Sequence, residues 1–180
     1  MYKVSIEGIG GSLFLIVIIG VGALLLIKAI KAIKQEKADR RSKKDLLDLG
    51  IMVAVASIIG GLFIAMNYLN VVRVEDGSLK AMFLTGFKKI ELTGDEIIEA
   101  YAVDWSIDSD HAPVRRTMGT SIGTYKEGRF TLKNGNKAYL LVSGSKALVV
   151  RTSDDIFMLG PDEFDEFVSD FETNVIKIED

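Results

Sequence analysis

Asp104, Asp108, Asp110 and His111 cluster in the stretch DWSIDSDHAP, where their side chains could do chemistry. Carboxylates two residues apart can begin a calcium site, which needs six to eight oxygen ligands. No Asp-x-Asp-x-Asp-Gly loop with a downstream bidentate glutamate completes one, so the spacing predicts a solvated loop between strands. His111 is the chain's one histidine, and no nucleophile stands at motif spacing for it to activate as a general base. The sequence holds no cysteine, which removes disulfides, thiolate zinc sites and cysteine nucleophiles together. These residues therefore predict no catalytic residue, no metal and no cofactor. A membrane-bound enzyme or metal-binding protein using the Asp104–His111 loop is the alternative.

Two further stretches invite a chemical reading. GTSIGTYK, from Gly119 to Lys126, looks like a phosphate-cradling loop, but a P-loop needs Lys-Ser/Thr directly after its second glycine and then a helix. Thr124 and Tyr125 break the first condition, and the strand-like RFTL breaks the second. Glycines admitting tight bends are the better account. The basic pairs Lys88-Lys89 and Arg115-Arg116 could mark an anionic ligand. Residues 70–180 nevertheless carry 13 basic and 20 acidic side chains, a net charge of −7 that argues against nucleic acid.

The elements that must position these residues fall into two unlike halves. Residues 1–69 carry 9 basic and 5 acidic side chains, net +4, within a chain of 180 residues and formal charge −3. Gly8 to Ile27 and Leu49 to Val72 are uncharged apolar runs of 20 and 24 residues. A helix of about 20 such residues matches a bilayer core about 30 Å thick. The reading is a transmembrane hairpin over 1–72 with a basic loop at 28–48. Positive charge follows the first run instead of preceding it, unlike a cleaved signal peptide. The loop carries Lys28, Lys31, Lys34, Lys37, Arg40, Arg41, Lys43 and Lys44. Positive residues favour the cytoplasmic side, so the loop is expected in the cytoplasm and both ends of the chain outside it. The same charges could lie against anionic headgroups as a membrane-surface patch. Gly50, Ala54, Ser57, Gly61 and Ala65 form a stripe of small residues at helical spacing. Such a stripe lets helix backbones approach closely, either within the hairpin or between copies of the chain. Neither run holds a charge that would serve an ion pathway.

In the β domain placed at 73–180 the pattern changes: residues 71–159, opening with VVRVE, read as short alternating segments punctuated by turn residues, Asp76-Gly77, Thr93-Gly94-Asp95, Asn134-Gly135, Ser143-Gly144-Ser145 and Ser153-Asp154-Asp155. Asn-Gly between RFTLK and NKAYLLV predicts a hairpin with a tight primed turn. The series predicts a meander forming a small antiparallel barrel or sandwich. A helix at about 161–173 closes the chain. Pro161 sits in its first turn, and Phe164, Phe167, Val168 and Phe171 at i, i+3, i+4 and i+7 supply an apolar face that caps the core.

Gly119, Gly123, Gly128-Arg129-Phe130, the strand KALVVRT from Lys146 to Thr152, and Pro161 with Phe164 and Phe167 resemble the C-terminal part of bacterial PH-like domains of small membrane proteins. LTGDEIIEAYAV is similar to a segment that these domains carry between earlier strands. The resemblance covers about 100 residues. It implies a membrane hairpin followed by a PH-like β barrel or sandwich with a capping helix. The implied role is a non-enzymatic interaction or scaffolding module whose partners are the lipid bilayer and either another protein or a homo-oligomer. Phosphoinositide-binding PH domains place cations between their first two strands. Here that turn is Glu75-Asp76-Gly77, so the headgroup mode does not follow.

Overall fold

Residues 1–5, 20, 22, 27, 50–61, 70–84 and 88–178 are described in the computed structural model of the protein. The chain divides into two compact units, 1–10 with 66–180, and 11–65. In the second unit residues 50–61 are helical. Among the described residues no helix is long and apolar enough to cross a membrane. The remainder of both apolar runs, and the whole basic loop, lie outside the described residues.

The first unit is built on two sheets. The smaller contains β1 (Tyr2–Lys3), β2 (Val71–Glu75), β3 (Ser78–Phe83) and β4 (Lys88–Thr93), in that order and all antiparallel. The segment VVRVE forms a strand as the sequence predicts, and its first two residues, Val71 and Val72, which the second apolar run also took in, are buried in β2. The first residues of the chain also belong here: Tyr2 pairs with Val72 and Lys3 with Val71. The β2–β3 turn has Asp76 at φ 54° and Gly77 at φ 73°, the double left-handed geometry of a primed two-residue hairpin.

The larger sheet contains β5 (Glu99–Asp104), β6 (Pro113–Ile122), β7 (Tyr125–Leu132), β8 (Lys137–Val142), β9 (Lys146–Arg151) and β10 (Ile156–Gly160). Its order is β5-β9-β10-β8-β7-β6. A simple meander is therefore corrected: β10 inserts between β9 and β8 and runs parallel to β8. Close approach makes this possible, since a Cβ on Gly160 would collide with the Lys146 carbonyl. The three central strands are apolar on both faces. Leu140, Val142, Ala147, Val149 and Met158 pack with Phe130 and Leu132 on one side, while Leu141, Leu148, Val150 and Leu159 are buried on the other. The two sheets meet where Phe83 of β3 contacts Tyr139 and Phe157, with ring centroids at 6.0 and 6.4 Å.

The β7–β8 hairpin also differs in detail. Leu132 N–H donates to Asn136 O at 2.8 Å and Gly135 N–H to Leu132 O at 3.0 Å, closing a three-residue loop. Only Gly135 is left-handed there, at φ 86°. Asn134-Gly135 thus ends a type I turn with a bulge, not a primed turn. The C-terminal helix spans Phe164–Asn174, three residues later at its start than the proline suggested. Phe167 and Phe171 are fully buried, while Phe164 and Val168 are half-buried. The helix packs against β2 and β9.

Candidate functional site

The loop after β5 is ordered by its own polar groups. Asp104 Oδ1 accepts from Ser106 N–H at 3.0 Å and from its hydroxyl at 2.6 Å. These bonds, the Ser106 hydroxyl foremost, hold the Asp104 carboxyl below its usual range. Asp108 caps a short 3₁₀ turn over Ser109–His111 by accepting from Asp110 N–H at 3.2 Å. That bond, then the one from His111, lowers its pKa too. His111 Nδ1 lies 2.9 Å from Asp108 Oδ2, and its Nε2 lies 3.1 Å from the Tyr101 hydroxyl. Asp108 therefore selects the Nδ1–H tautomer, and Nε2 accepts from Tyr101.

An Asp–His–Tyr chain has the order of a relay, but its terminal hydroxyl is not activated. Burial first, and then the Glu99 charge, raises the Tyr101 pKa and keeps the phenol protonated. The cavity beside it is about 20 Å³, bounded by Tyr101, His111, Asn134, Asn136 and Arg151. That is room for a water, not a substrate. The carboxylates of Asp104 and Asp108 turn back onto the loop's own N–H groups. Among the described residues no group of three or more His, Asp or Glu side chains converges on a point where a metal could sit. Residues 106–110 are exposed, as expected of a solvated loop, but the His111 side chain is only 18% exposed, with its ring edge against Tyr101 at 5.6 Å.

The stretch GTSIGTYK is a β-hairpin. Ile122 pairs with Tyr125 around Gly123-Thr124, with Gly123 left-handed at φ 57°. Gly119 faces Gly128 across the ladder, at φ 107° and 113°, and a Cβ on either would collide with the other strand's backbone. These glycines build the strand pair and cradle no phosphate.

A concave surface does exist on the outer face of the smaller sheet. A groove of about 500 Å³ runs over Val71, Ala81 and Met82, flanked by Met1, Arg73, Lys80 and Lys89 with Glu75 and Glu91. The volume is that of a ligand or peptide site. Lys80 pairs with Glu91 at 3.2 Å, Arg73 lies 3.9 Å from Glu75, and Met82 is 48% exposed at the centre. It offers apolar contact ringed by charge and no nucleophile, which suits binding. Sequence reasoning missed it because its residues come from three strands and from Met1 at the other end of a long segment. Arg73, Lys80, Met82, Lys89 and Glu91 share a face only through the β2–β3–β4 register.

A buried polar knot was also missed. Asn70, Tyr125 and Glu127 are each fully buried. The Asn70 amide donates to the Tyr125 hydroxyl and, at 3.1 Å, to Glu127 Oε2, while Tyr125 donates to Glu127 at 2.7 Å. Burial, with the Glu127 charge behind it, drives the Tyr125 pKa far upward. The knot ties the residue before β2 to β7. Of the small-residue stripe, Gly50, Ala54, Ser57 and Gly61 are exposed, whereas Ala65 and all eight basic loop residues lie outside the described residues.

Residues 92–175 match the family model described as Bacterial PH domain. No curated protein and no solved structure matches the chain. The match takes in β5 to β10 and the C-terminal helix, and it ends at Val175, whose carbonyl closes against Gly94 near its start. The segment from Leu92 to Val175 is thus similar to a bacterial PH domain, the likeness that its glycines and its phenylalanine-bearing helix implied.

Proposed function

We propose that the protein is a membrane-anchored, non-enzymatic interaction module: a two-span hairpin over the apolar runs that displays the PH-like unit beside the bilayer for a protein partner or for self-assembly. The uncharged apolar runs of 20 and 24 residues support the anchoring, and one contact bears on its geometry. Val4 N–H donates to Asn70 O at 3.1 Å, so the segment 6–69 leaves and re-enters the β unit at adjacent residues. If its apolar runs cross a bilayer, they cross an even number of times, as a hairpin does. The eight loop cations then favour a cytoplasmic loop, with the β unit on the opposite face. Confinement to a membrane raises the effective concentration of any partner held in the same plane. The groove over Met82 supplies a binding surface.

Alkaline carbonate extraction tests the anchor: the full chain should stay with the membrane pellet and leave it only with detergent. Release by carbonate overturns anchoring. A photo-reactive side chain at position 82 should give discrete cross-linked species in native membranes, and their absence counts against the groove as the contact surface.

A further inference from the structure

Residues 1–5 are held as an extended peptide is held by a receptor. Tyr2 and Lys3 ladder onto β2, and Val4 N–H continues the pairing to Asn70. The Tyr2 ring stands edge-on to Phe167 at 5.4 Å, and its hydroxyl donates to Asp170 at 2.9 Å. Val4 is fully buried. Asp162 clasps the backbone on both sides, donating its N–H to Lys3 O at 2.9 Å and accepting from Ser5 N–H at 3.2 Å. Main-chain bonds to a strand edge with pockets for alternate side chains constitute β-augmentation. Here ligand and receptor are one chain, separated by the 64 residues from 6 to 69.

We propose that this groove between β2 and the C-terminal helix is a strand-exchange site that takes residues 2–5 of a second copy of the chain. This deepens the module reading and rests on it. The occupant is named by the groove itself: its pockets are filled by Tyr2 and Val4, and every copy carries that sequence. Exchange restores each bond and both pockets unchanged, which is what makes swapping an inexpensive route to a dimer. Release of β1 opens two residue pairs of ladder together with the contacts of Tyr2, Val4 and Asp162, all of which an exchanged copy makes again.

The chain has no cysteine, so exchange can be read by cross-linking the full chain in membranes. Lys3→Cys in one copy and Val71→Cys in a differently tagged copy place two thiols in register only when β1 has changed partners. A short bis-maleimide should then yield the mixed dimer, well above a Lys3→Cys with Asn136→Cys control. Adding Val4→Asp to the Lys3→Cys copy should abolish it. The double variant Lys3→Cys/Val71→Cys in one copy reports the cis pairing. Efficient cis cross-linking with no mixed dimer overturns exchange, and continued cross-linking from position 82 would then leave the module reading standing. Loss of the position-82 adducts with the mixed dimer retained would do the reverse.

Discussion

At the scale of single residues, the phenylalanines of the C-terminal helix were legible because a 3.6-residue period survives any tertiary context. Phe167 and Phe171 are both fully buried, on the face that the spacing assigned. Phe167→Ala removes the ring that meets Tyr2 and Phe171, at centroid distances of 5.4 and 6.4 Å. It should cost about 3–5 kcal/mol in thermal or denaturant unfolding. Glu166→Ala on the exposed side should stay within about 0.5 kcal/mol. Tyr2 was not legible, since nothing in MYKVS announces a partner 70 residues away. Its pKa is pushed up to about 12 by burial and by the bond to Asp170. Because the folded pKa lies above the unfolded value of about 10, the folded state holds the proton more tightly. Its contribution is complete below pH 10 and is lost as pH rises through 12. Tyr2→Phe should therefore be less stable at neutral pH but show a shallower fall in melting temperature between pH 10 and 12. An unchanged alkaline limb would mean that Tyr2 is not what titrates there.

Among elements, strands bounded by turn residues were readable and strands without them were not. Asp76-Gly77 and Ser153-Asp154-Asp155 sit between adjacent antiparallel strands as their chemistry requires. Strand β6 escaped notice because nearly all of PVRRTMGTSI faces solvent or the sheet edge, and two register shifts destroy its alternation. The parallel β8–β10 pairing was hidden for a different reason: strands buried on both faces lose the period-2 signal that would fix their neighbours. Two predictions belong here. Gly128→Ala forces a side chain into φ 113° against the Met118 backbone, and should destabilise by at least about 1–3 kcal/mol, far more than Gly135→Ala in open space. Replacing Asp108, Asp110 and His111 together with Ala severs the link to Tyr101 and the 3₁₀ cap. A modest fall in melting temperature is expected, chiefly through the lost bond between His111 and Tyr101. Calcium, magnesium, manganese or zinc titrated onto the wild-type chain should leave its melting temperature unmoved. A metal-dependent rise abolished in the triple variant would instead make the loop a binding site.

For the whole molecule, hydropathy separated an apolar half from a strand-rich half but let the two overlap at Val71 and Val72, because these residues satisfy a span and a buried strand equally well. The β1–β2 pairing is what gives the join meaning, since it fastens both ends of the 6–69 segment to one unit. On the proposed hairpin it turns the question of sidedness into a single choice: loop inside and β unit outside, or the reverse. Eight cations in 28–48, against Lys3 before the first run and Arg73 just after the second, favour the first. Asn136 is exposed on the β7–β8 loop, and the chain is free of other thiols. Asn136→Cys should therefore react with a membrane-impermeant maleimide in intact cells once any outer barrier is removed, with no further gain on lysis. Changing Lys28, Lys31, Lys34 and Lys37 to Gln should lower that labelling by letting a fraction of chains insert the other way. Labelling that occurs only after lysis in the parent Asn136→Cys chain would place the β unit in the cytoplasm and reverse the sidedness of the proposed hairpin. Labelling unaffected by the loop substitutions would show that orientation is set elsewhere, with the β unit's own folding as the remaining determinant.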